Sequence, residues 1–247
     1  MRRNRGSIAL KLHADSRRSK PPAMTPPTTI IPVATGMRLI PGFFDREQQK
    51  HLVDELREVV RLAPLFTPIM PGTGKPFSVR MTNCGPLGWV SDKNGYRYEP
   101  AHPLTRNPWP PIPDILLNAW AALTDYPAAP QACLVNYYGP AARMGMHQDR
   151  DEEDFSAPVV SVSLGATGRF RIGGIVRSAP TRSFPLSSGD LLVLGGASRL
   201  AFHGIDRIVA GTSTLLPDGG RINLTLRRVS KPTTASRDDA ITPRSQA

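Results

Sequence analysis

Two residues with metal-binding side chains stand two positions apart near the middle of the chain. His147 and Asp149 follow a predicted strand, residues 131–138, and a Gly-Pro turn. Because the side chains of a strand alternate between its two faces, an extended segment ending in His-Gln-Asp points the imidazole and the carboxylate in the same direction, about 7 Å apart. One histidine and one carboxylate are two of the three ligands of the 2-His-1-carboxylate site of non-haem iron enzymes.

The third ligand has one good candidate among the five histidines. His203 lies in the sequence RLAFHG, which we interpret as the end of a late strand. His13 lies in a polar tail and His51 on a predicted helix, while His102 lies in a proline-rich loop that should leave it exposed. A His-x-Asp pair is common by chance, but with a distal histidine in a strand-rich segment it indicates an Fe(II) site with open coordination positions.

The segment RINLTLR, residues 221–227, alternates between polar and apolar side chains. Its polar face carries Arg221, Asn223, Thr225 and Arg227. If this face is buried, the two guanidinium groups need anions, because an unpaired buried charge is strongly disfavoured. A dicarboxylate could satisfy both arginines through bidentate contacts. The alternative is an edge strand whose arginines face water.

The elements that must position these residues divide the chain into two parts. A helix is predicted after an Asp45 cap and a second one over 114–124, both with apolar residues at helical spacing. From residue 131 onwards short strands separated by Gly, Pro, Ser and Asp are typical of a barrel or jelly roll. They are predicted at 131–138, 158–165, 168–172, 189–194, 199–204 and 221–228.

Composition sets the remaining limits. The 247 residues carry a formal charge of +11, which fits a polyanionic partner, and no apolar run approaches the roughly 18 residues of a membrane span. With only two cysteines the expected compartment is a reducing cytoplasm.

The chain is expected to divide into three parts. Residues 1–28 are expected to be a disordered basic tail, 29–229 a single domain and 230–247 a second tail. The first tail is interpreted as a solvated extension, with a nucleic-acid-tethering arm as the alternative and Met24 as a candidate start.

A hairpin with an Asn94-Gly95 turn is predicted within residues 79–98. Trp89, Tyr96 and Tyr98 flank this turn. Such aromatic residues can simply cover the hairpin, or they can stack on nucleobases beside basic residues. Their spacing does not decide between the two functions.

Six segments, in order along the chain, together resemble the AlkB family of 2-oxoglutarate- and Fe(II)-dependent nucleic-acid dealkylases. They are TNCGPLGW, ACLVNYY, HQDRDE, PVVSVSLG, SRLAFHGI and RINLTLR, and the resemblance covers roughly residues 35–229. It implies an α+β, mainly β fold: a double-stranded β-helix, or jelly roll, at 131–229. Residues 29–130 would supply flanking helices and a nucleotide-recognition lid.

The resemblance also implies a role for each matching residue. His147, Asp149 and His203 would bind iron. The co-substrate 2-oxoglutarate would be bound by Asn136, Tyr138, Arg221, Asn223 and Arg227, with one carboxylate for each arginine. The nucleotide substrate would contact Trp89, Tyr96, Tyr98, Asp151 and Arg177.

The implied activity is repair of N-alkylated bases, such as 1-methyladenine and 3-methylcytosine, by oxidative demethylation that consumes 2-oxoglutarate and O2 and releases succinate, CO2 and formaldehyde. The expected partner is alkylated DNA, preferably single-stranded, with RNA left open; the expected protein is a monomer that binds no membrane. Two other classes compete: a 2-oxoglutarate oxygenase acting on a protein or small molecule, and a non-catalytic nucleic-acid-binding module. An oxygenase acting on a protein or small molecule would not need the segment TNCGPLGW. A non-catalytic binding module would have no use for His147, Asp149 and His203 together.

Overall fold

The computed structural model describes residues 29–232, so the predicted tail at 1–28 and most of the one at 230–247 lie outside the described residues. The elements in chain order are β1 (Ile31–Ala34), β2 (Met37–Ile40), α1 (Arg46–Leu62), β3 (Arg80–Cys84), β4 (Gly88–Asp92), β5 (Gly95–Glu99), α2 (Asp114–Leu123), β6 (Ala132–Tyr138), β7 (Met144–His147), β8 (Val159–Gly165), β9 (Thr167–Ile172), β10 (Arg182–Leu186), β11 (Leu191–Leu194), a 3-10 turn (Gly196–Ser198), β12 (His203–Val209) and β13 (Arg221–Arg227).

Two antiparallel sheets face each other. The large sheet has the order β1-β2-β11-β8-β13-β6-β3, and the small sheet has the order β10-β9-β12-β7. One apolar core, which includes Phe170, Ile205 and Leu192, fills the space between them. A second core joins the outer face of the large sheet to α1 and α2. The expected mainly β jelly-roll fold is confirmed.

The predicted helices form for the reasons that the sequence indicates. Asp45 accepts hydrogen bonds from the backbone amides of Glu47 and Gln48, and the Gln48 side chain bonds back to the Asp45 amide, which completes a capping box. The helix then buries Leu52, Val53, Leu56 and Val59 against the large sheet. Three strands from the part before residue 131 also join this sheet, while β4 and β5 pair only with each other.

The last strand is not an edge strand. β13 pairs with β8 on one side and with β6 on the other, so it lies inside the large sheet. The alternative in which its arginines face water is therefore wrong. Arg221 and Arg227 are 1% and 6% exposed.

The strand predicted at 199–204 is wrong in its position. Residues 196–198 form a 3-10 turn that Gly196 opens with φ of 48°, and Ser198 donates a hydrogen bond to the Thr35 carbonyl. The strand starts only at His203, so this histidine begins β12 instead of ending a strand.

Strand β10 was not predicted from the sequence. It lies at the edge of the small sheet, a place that tolerates its polar residues and Pro185.

The expectation that His102 is exposed is also wrong. Its side chain is fully buried, Nε2 lies 2.8 Å from the Pro64 carbonyl oxygen, and Nδ1 accepts hydrogen bonds from the amides of Leu104 and Thr105. The loop needs this imidazole because its buried backbone groups require partners.

Within residues 29–232, neither helix is long and apolar enough to cross a membrane.

Candidate active site

His147, Asp149 and His203 meet at one end of the small sheet. β7 and β12 pair so that His147 lies directly opposite His203, and the segment after β7 turns Asp149 toward both rings. His147 Nε2 is 3.5 Å from Asp149 Oδ1, and His203 Nε2 is 3.6 Å from Asp149 Oδ2. Three potential ligand atoms, one from each residue, all lie within 4.8 Å of one another. Because the strand ends at His147, the turn after it, and not strand alternation, positions Asp149.

The two imidazole rings are oriented by backbone carbonyls. His147 Nδ1 lies 2.9 Å from the Gly145 oxygen, and His203 Nδ1 lies 2.9 Å from the Ala201 oxygen. These contacts require the hydrogen on Nδ1, which leaves the lone pair of each Nε2 directed at the carboxylate. Such an outer contact on the non-ligating nitrogen is usual for metal-binding histidines.

The protonation states of the three candidate ligand residues also suit a bound cation. Burial would raise the pKa of Asp149, but the Arg227 charge outweighs it and, together with the neighbouring His203 and His147 rings, holds the pKa well below the ordinary value. Burial lowers the pKa of His203 to about 4, so this ring is neutral at neutral pH. For His147 burial would lower the pKa, yet the hydrogen-bonded Asp149 carboxylate raises it overall.

The floor of the adjoining cleft is the inner face of the large sheet. The cleft has a volume of about 1190 Å3. It is lined by both histidines, Asp149 and the residues predicted to bind 2-oxoglutarate, namely Asn136, Tyr138, Arg221, Asn223 and Arg227. Their convergence follows from register, because β13 pairs with β6 so that Arg221 faces Tyr138 and Asn223 faces Asn136.

Three buried atoms in this floor lack a hydrogen-bond partner among the described residues: Asn136 Oδ1, Arg221 Nε and Arg227 Nε. Buried polar groups are nearly always paired, so such atoms in one cleft indicate a site for a polar ligand. Two guanidinium groups and an amide suit an anionic co-substrate, and the neighbouring His-Asp-His set suits Fe(II). The residues present therefore fit both groups.

The two arginines of the floor differ in their surroundings. Arg221 donates to the Ser163 hydroxyl at 2.9 Å and contacts no carboxylate of residues 29–232, and burial lowers its pKa to about 10. Burial acts on Arg227 in the same direction, but Asp149, Tyr98 and Glu152 together raise its pKa. Arg227 bonds the Asp149 carboxylate at 2.7 Å and Glu152 at 2.9 Å.

Two residues that support the site, Glu152 and Arg199, were not predicted from the sequence. The Glu152 side chain is fully buried between Arg227 and Arg199, at 2.9 and 3.0 Å, and Arg199 also donates to the Asp149 carbonyl at 2.6 Å. These contacts fix the segment that carries Asp149. Glu152 stands in the segment HQDRDE, but nothing in the sequence pairs it with an arginine 47 positions later.

The rim of the cleft is formed by the β4–β5 hairpin and two loops. Trp89 is 9% exposed, stacks on Tyr96 with ring centroids 5.4 Å apart, and donates from Nε1 to Asp151 at 2.7 Å. Tyr96 is 50% exposed. Arg177 also lines the cleft; it is exposed and lies 4.6 Å above the Phe202 ring.

Tyr98 does not line the cleft with the other predicted substrate residues. Its hydroxyl donates to Glu152 and accepts from Arg227 at 3.3 Å. Burial raises its pKa, so the phenol stays protonated. Its geometry is that of a support for Arg227, because Trp89 and Tyr96 occupy the surface of the hairpin that reaches the cleft.

Comparison with known proteins gives concordant matches. A family model described as the 2OG-Fe(II) oxygenase superfamily matches residues 36–227. The Alpha-ketoglutarate-dependent dioxygenase AlkB homolog of Caulobacter vibrioides is 52% identical over 202 residues, which is 82% of this chain and 90% of that protein. Alpha-ketoglutarate-dependent dioxygenase AlkB of Escherichia coli is 42% identical over 81% of this chain and 93% of that protein.

A solved structure and two shorter matches add to this. The structure of OsALKBH1 has a TM-score of 0.70 and 31% identity, covering 81% of this chain and 100% of that chain. A DNA N(6)-methyladenine demethylase, ALKBH1D of Arabidopsis thaliana, is 38% identical over 40% of this chain and 25% of its own length. The tRNA demethylase abh1 of Schizosaccharomyces pombe is 35% identical over 34% of this chain and 28% of its own length.

Proposed function

The chain belongs to the AlkB family of the 2OG-Fe(II) oxygenase superfamily, and from this premise we propose that its cleft repairs N-alkylated bases such as 1-methyladenine and 3-methylcytosine, with single-stranded DNA preferred and RNA as a second substrate. The protein is a 2-oxoglutarate-dependent dioxygenase that acts by oxidative demethylation of nucleic acids. Fe(II), 2-oxoglutarate and O2 are its cofactor and co-substrates.

One observation carries the proposal. The three ligand atoms of His147, Asp149 and His203 and the unpartnered atoms of Asn136 and Arg221 open into the same cleft as the rim. A non-catalytic nucleic-acid-binding module would have no use for the ligands. A small-molecule oxygenase would have no use for a half-exposed tyrosine stacked on a tryptophan beside a carboxylate.

In this proposal each part of the cleft has one task. His147, Asp149 and His203 hold Fe(II), while Arg221 and Arg227 bind the two carboxylates of 2-oxoglutarate and Asn136, Tyr138 and Asn223 orient it. When bound, Fe(II), 2-oxoglutarate and O2 would supply the oxidising chemistry: one oxygen atom would enter the N-methyl group, which would leave as formaldehyde, and the other would enter succinate as 2-oxoglutarate loses CO2.

The protein's own residues bind and orient the base. The base must leave its stack to reach the floor, which costs least in a single strand and supports that preference. Tyr96 offers an exposed ring for stacking, and the Asp151 carboxylate, held by Trp89, favours a base that methylation has made cationic. Arg177 is an exposed residue of the cleft lining, so it can meet a phosphate.

The proposal also covers the domain organisation, the oligomeric state and the cellular compartment. Residues 29–229 form a single catalytic domain flanked by tails, and the protein acts as a monomer in a reducing cytoplasm. Two buried free thiols, Cys84 and Cys133, support the choice of compartment. Light scattering of the purified protein, with and without oligonucleotide, tests the monomer.

The experiment that tests the function follows two products at once. The protein, reconstituted with Fe(II) without oxygen, is mixed with 2-oxoglutarate, O2 and either a 3-methylcytosine trinucleotide or its unmethylated form, and succinate and formaldehyde are measured. We expect formaldehyde only from the methylated oligonucleotide, with equal succinate, and neither product from His203→Ala. Succinate release that no methylated nucleic acid stimulates would contradict the proposal. A panel of lesions in DNA and RNA, single- and double-stranded, then ranks the substrates.

A further inference from the structure

The two sheets differ in what covers their outer faces. On the outer face of the large sheet, α1 and α2 bury a continuous apolar core. Among the described residues, no helix packs on the outer face of the small sheet, where Arg169, Arg171 and Arg207 are exposed. Along β9 these arginines alternate with the buried Phe170 and Ile172, so they are presented outward by the strand period.

This outer face is strongly basic. Residues 167–209 carry five exposed arginines, at 169, 171, 177, 182 and 207. The acidic residues of the same stretch are Asp206, which pairs with Arg171 at 3.0 Å, and Asp190, which is buried. Because the exposed charge of this stretch is mainly positive, this surface favours anions.

Two of these arginines are opposed directly across the sheet. Arg207 of β12 pairs in register with Arg169 of β9. Side chains opposite each other in an antiparallel pair lie on one face with Cβ atoms about 4.5–5.5 Å apart, and like charges there are destabilising. Among the described residues neither arginine has a carboxylate in contact, in contrast to Arg171. Anions bound by the two guanidinium groups, such as successive phosphates, would offset the repulsion.

The arginines also form a line that starts at the cleft. Arg177 lines the cleft, Arg171 borders it from the outer face, and Arg169 stands one strand repeat, about 7 Å, farther along β9 than Arg171. A chain of phosphates leaving the cleft mouth would therefore meet arginines in succession. This continuity favours the strand that occupies the cleft over any separate partner.

We propose that the arginine face, formed by Arg169, Arg171 and Arg207, binds the phosphates of nucleotides that flank the target base on the same strand. This inference rests on the proposed function, since it takes nucleic acid as the substrate of the cleft. It assigns a second contact region, outside the cleft, that selects long strands over short ones by charge and without reading sequence.

The test compares two variants of the full-length chain that lose the same charge. Arg169→Gln/Arg207→Gln removes the face. Arg57→Gln/Arg61→Gln removes two arginines from α1, on the other side of the large sheet, and serves as control. Binding to a single-stranded oligonucleotide of about 16 nucleotides with a central 3-methylcytosine is measured over a range of salt, alongside a duplex of the same sequence. Turnover of the methylated trinucleotide is measured in parallel.

For Arg169→Gln/Arg207→Gln we expect about 10-fold weaker binding to the long single strand at low salt, from two exposed charge contacts worth about 3-fold each. The slope of log affinity against log salt should become shallower by about 1.4, from roughly 0.7 per phosphate. The control should change either quantity much less, and trinucleotide turnover should be unchanged in both variants.

Two results would overturn the inference. Equal losses of affinity for the long single strand in Arg169→Gln/Arg207→Gln and in the control would show that only the net charge of the protein matters. A loss with the duplex alone would assign the face to the complementary strand. If instead the proposed demethylase function were wrong, the wild-type protein would leave the methylated trinucleotide unchanged, whatever its affinity for the longer strands.

Discussion

The floor of the cleft is built from strands of the large sheet whose polar side chains are almost fully buried, whereas the rim is built from a two-stranded hairpin and loops whose side chains reach solvent. Arg221, Asn136 and Arg227 of the floor are at most 6% exposed, and each has a polar atom that no residue of the described range 29–232 pairs with. Tyr96 of the rim is half exposed, and Trp89 and Asp151 satisfy each other.

This difference shows how the two binding tasks are separated. A buried and unpartnered polar group is costly, so the floor is completed only by a ligand of matching charge and shape. The rim is satisfied on its own, so it can meet different bases without a large penalty when the site is empty. We therefore expect substitutions in the floor to affect every turnover and substitutions in the rim to affect the nucleic acid alone.

The largest expected effect is the loss of a metal ligand. His203→Ala should abolish iron retention and turnover, because two ligands remain, while the fold persists because the ring is at the cleft surface of β12. Metal content after dialysis, turnover and circular dichroism measure this together. Full activity of this variant with Fe(II) would move the third ligand to another residue. Asp149→Ala is a less specific variant, since it also lowers stability by removing one of the two buried carboxylates that pair with Arg227, leaving only Glu152.

The next effect separates the two arginines of the floor. Arg221→Met should raise the KM for 2-oxoglutarate about 10- to 100-fold, in line with about 1.5–3 kcal/mol for a charged hydrogen-bond pair. It should not lower the Tm of the ligand-free protein, because Arg221 has no carboxylate to leave unpaired. Added 2-oxoglutarate with a redox-inert metal ion should stabilise the wild type but not this variant.

Arg227→Met is the matched comparison. It should raise the same KM but also destabilise the ligand-free protein by about 3–5 kcal/mol, because Asp149 and Glu152 lose their buried counter-charge. Chemical denaturation of both variants decides the point. Equal stabilities of Arg221→Met and Arg227→Met would show that the two environments do not differ as the contacts indicate.

A smaller effect is expected at the rim. Tyr96→Ala should weaken binding of a methylated oligonucleotide by about 1–3 kcal/mol, the usual worth of a stacked base, and should leave Tm and substrate-uncoupled succinate release unchanged. Trp89→Ala should weaken binding by a similar amount and leave uncoupled succinate release unchanged, but it should also lower Tm, at a cost of roughly 3–5 kcal/mol of stability, since Trp89 packs in an apolar cluster with Phe66 and Trp109. If coupled and uncoupled turnover fall in step with Tm in both variants, the hairpin is structural and does not bind substrate.

The smallest effect concerns the basic amino-terminal segment. Removing residues 1–23 should leave turnover of a methylated trinucleotide nearly unchanged, because no site residue lies there. It should weaken binding to long DNA at low salt, where each phosphate contact adds to the salt slope. Loss of trinucleotide turnover would make the segment part of the active site.

The sequence by itself determined the features that depend on local periodicity. The 2-residue repeat of RINLTLR put Arg221, Asn223 and Arg227 on one face, and the Asp45 cap fixed the start of α1. The His-x-Asp spacing and the distal histidine identified the ligand candidates, and the resemblance of six segments identified the family.

Only the tertiary structure decided what depends on contacts between distant parts of the chain. Whether β13 is central or at an edge is set by its neighbours, and this alone turns its arginines from surface groups into a binding floor. The pairing of Glu152 with Arg199, the burial of His102 and the position of Tyr98 behind the rim likewise arise from distant segments. The physical reason is that the alternation of side chains along a strand is a local property, whereas burial and charge pairing are settled when the sheets pack.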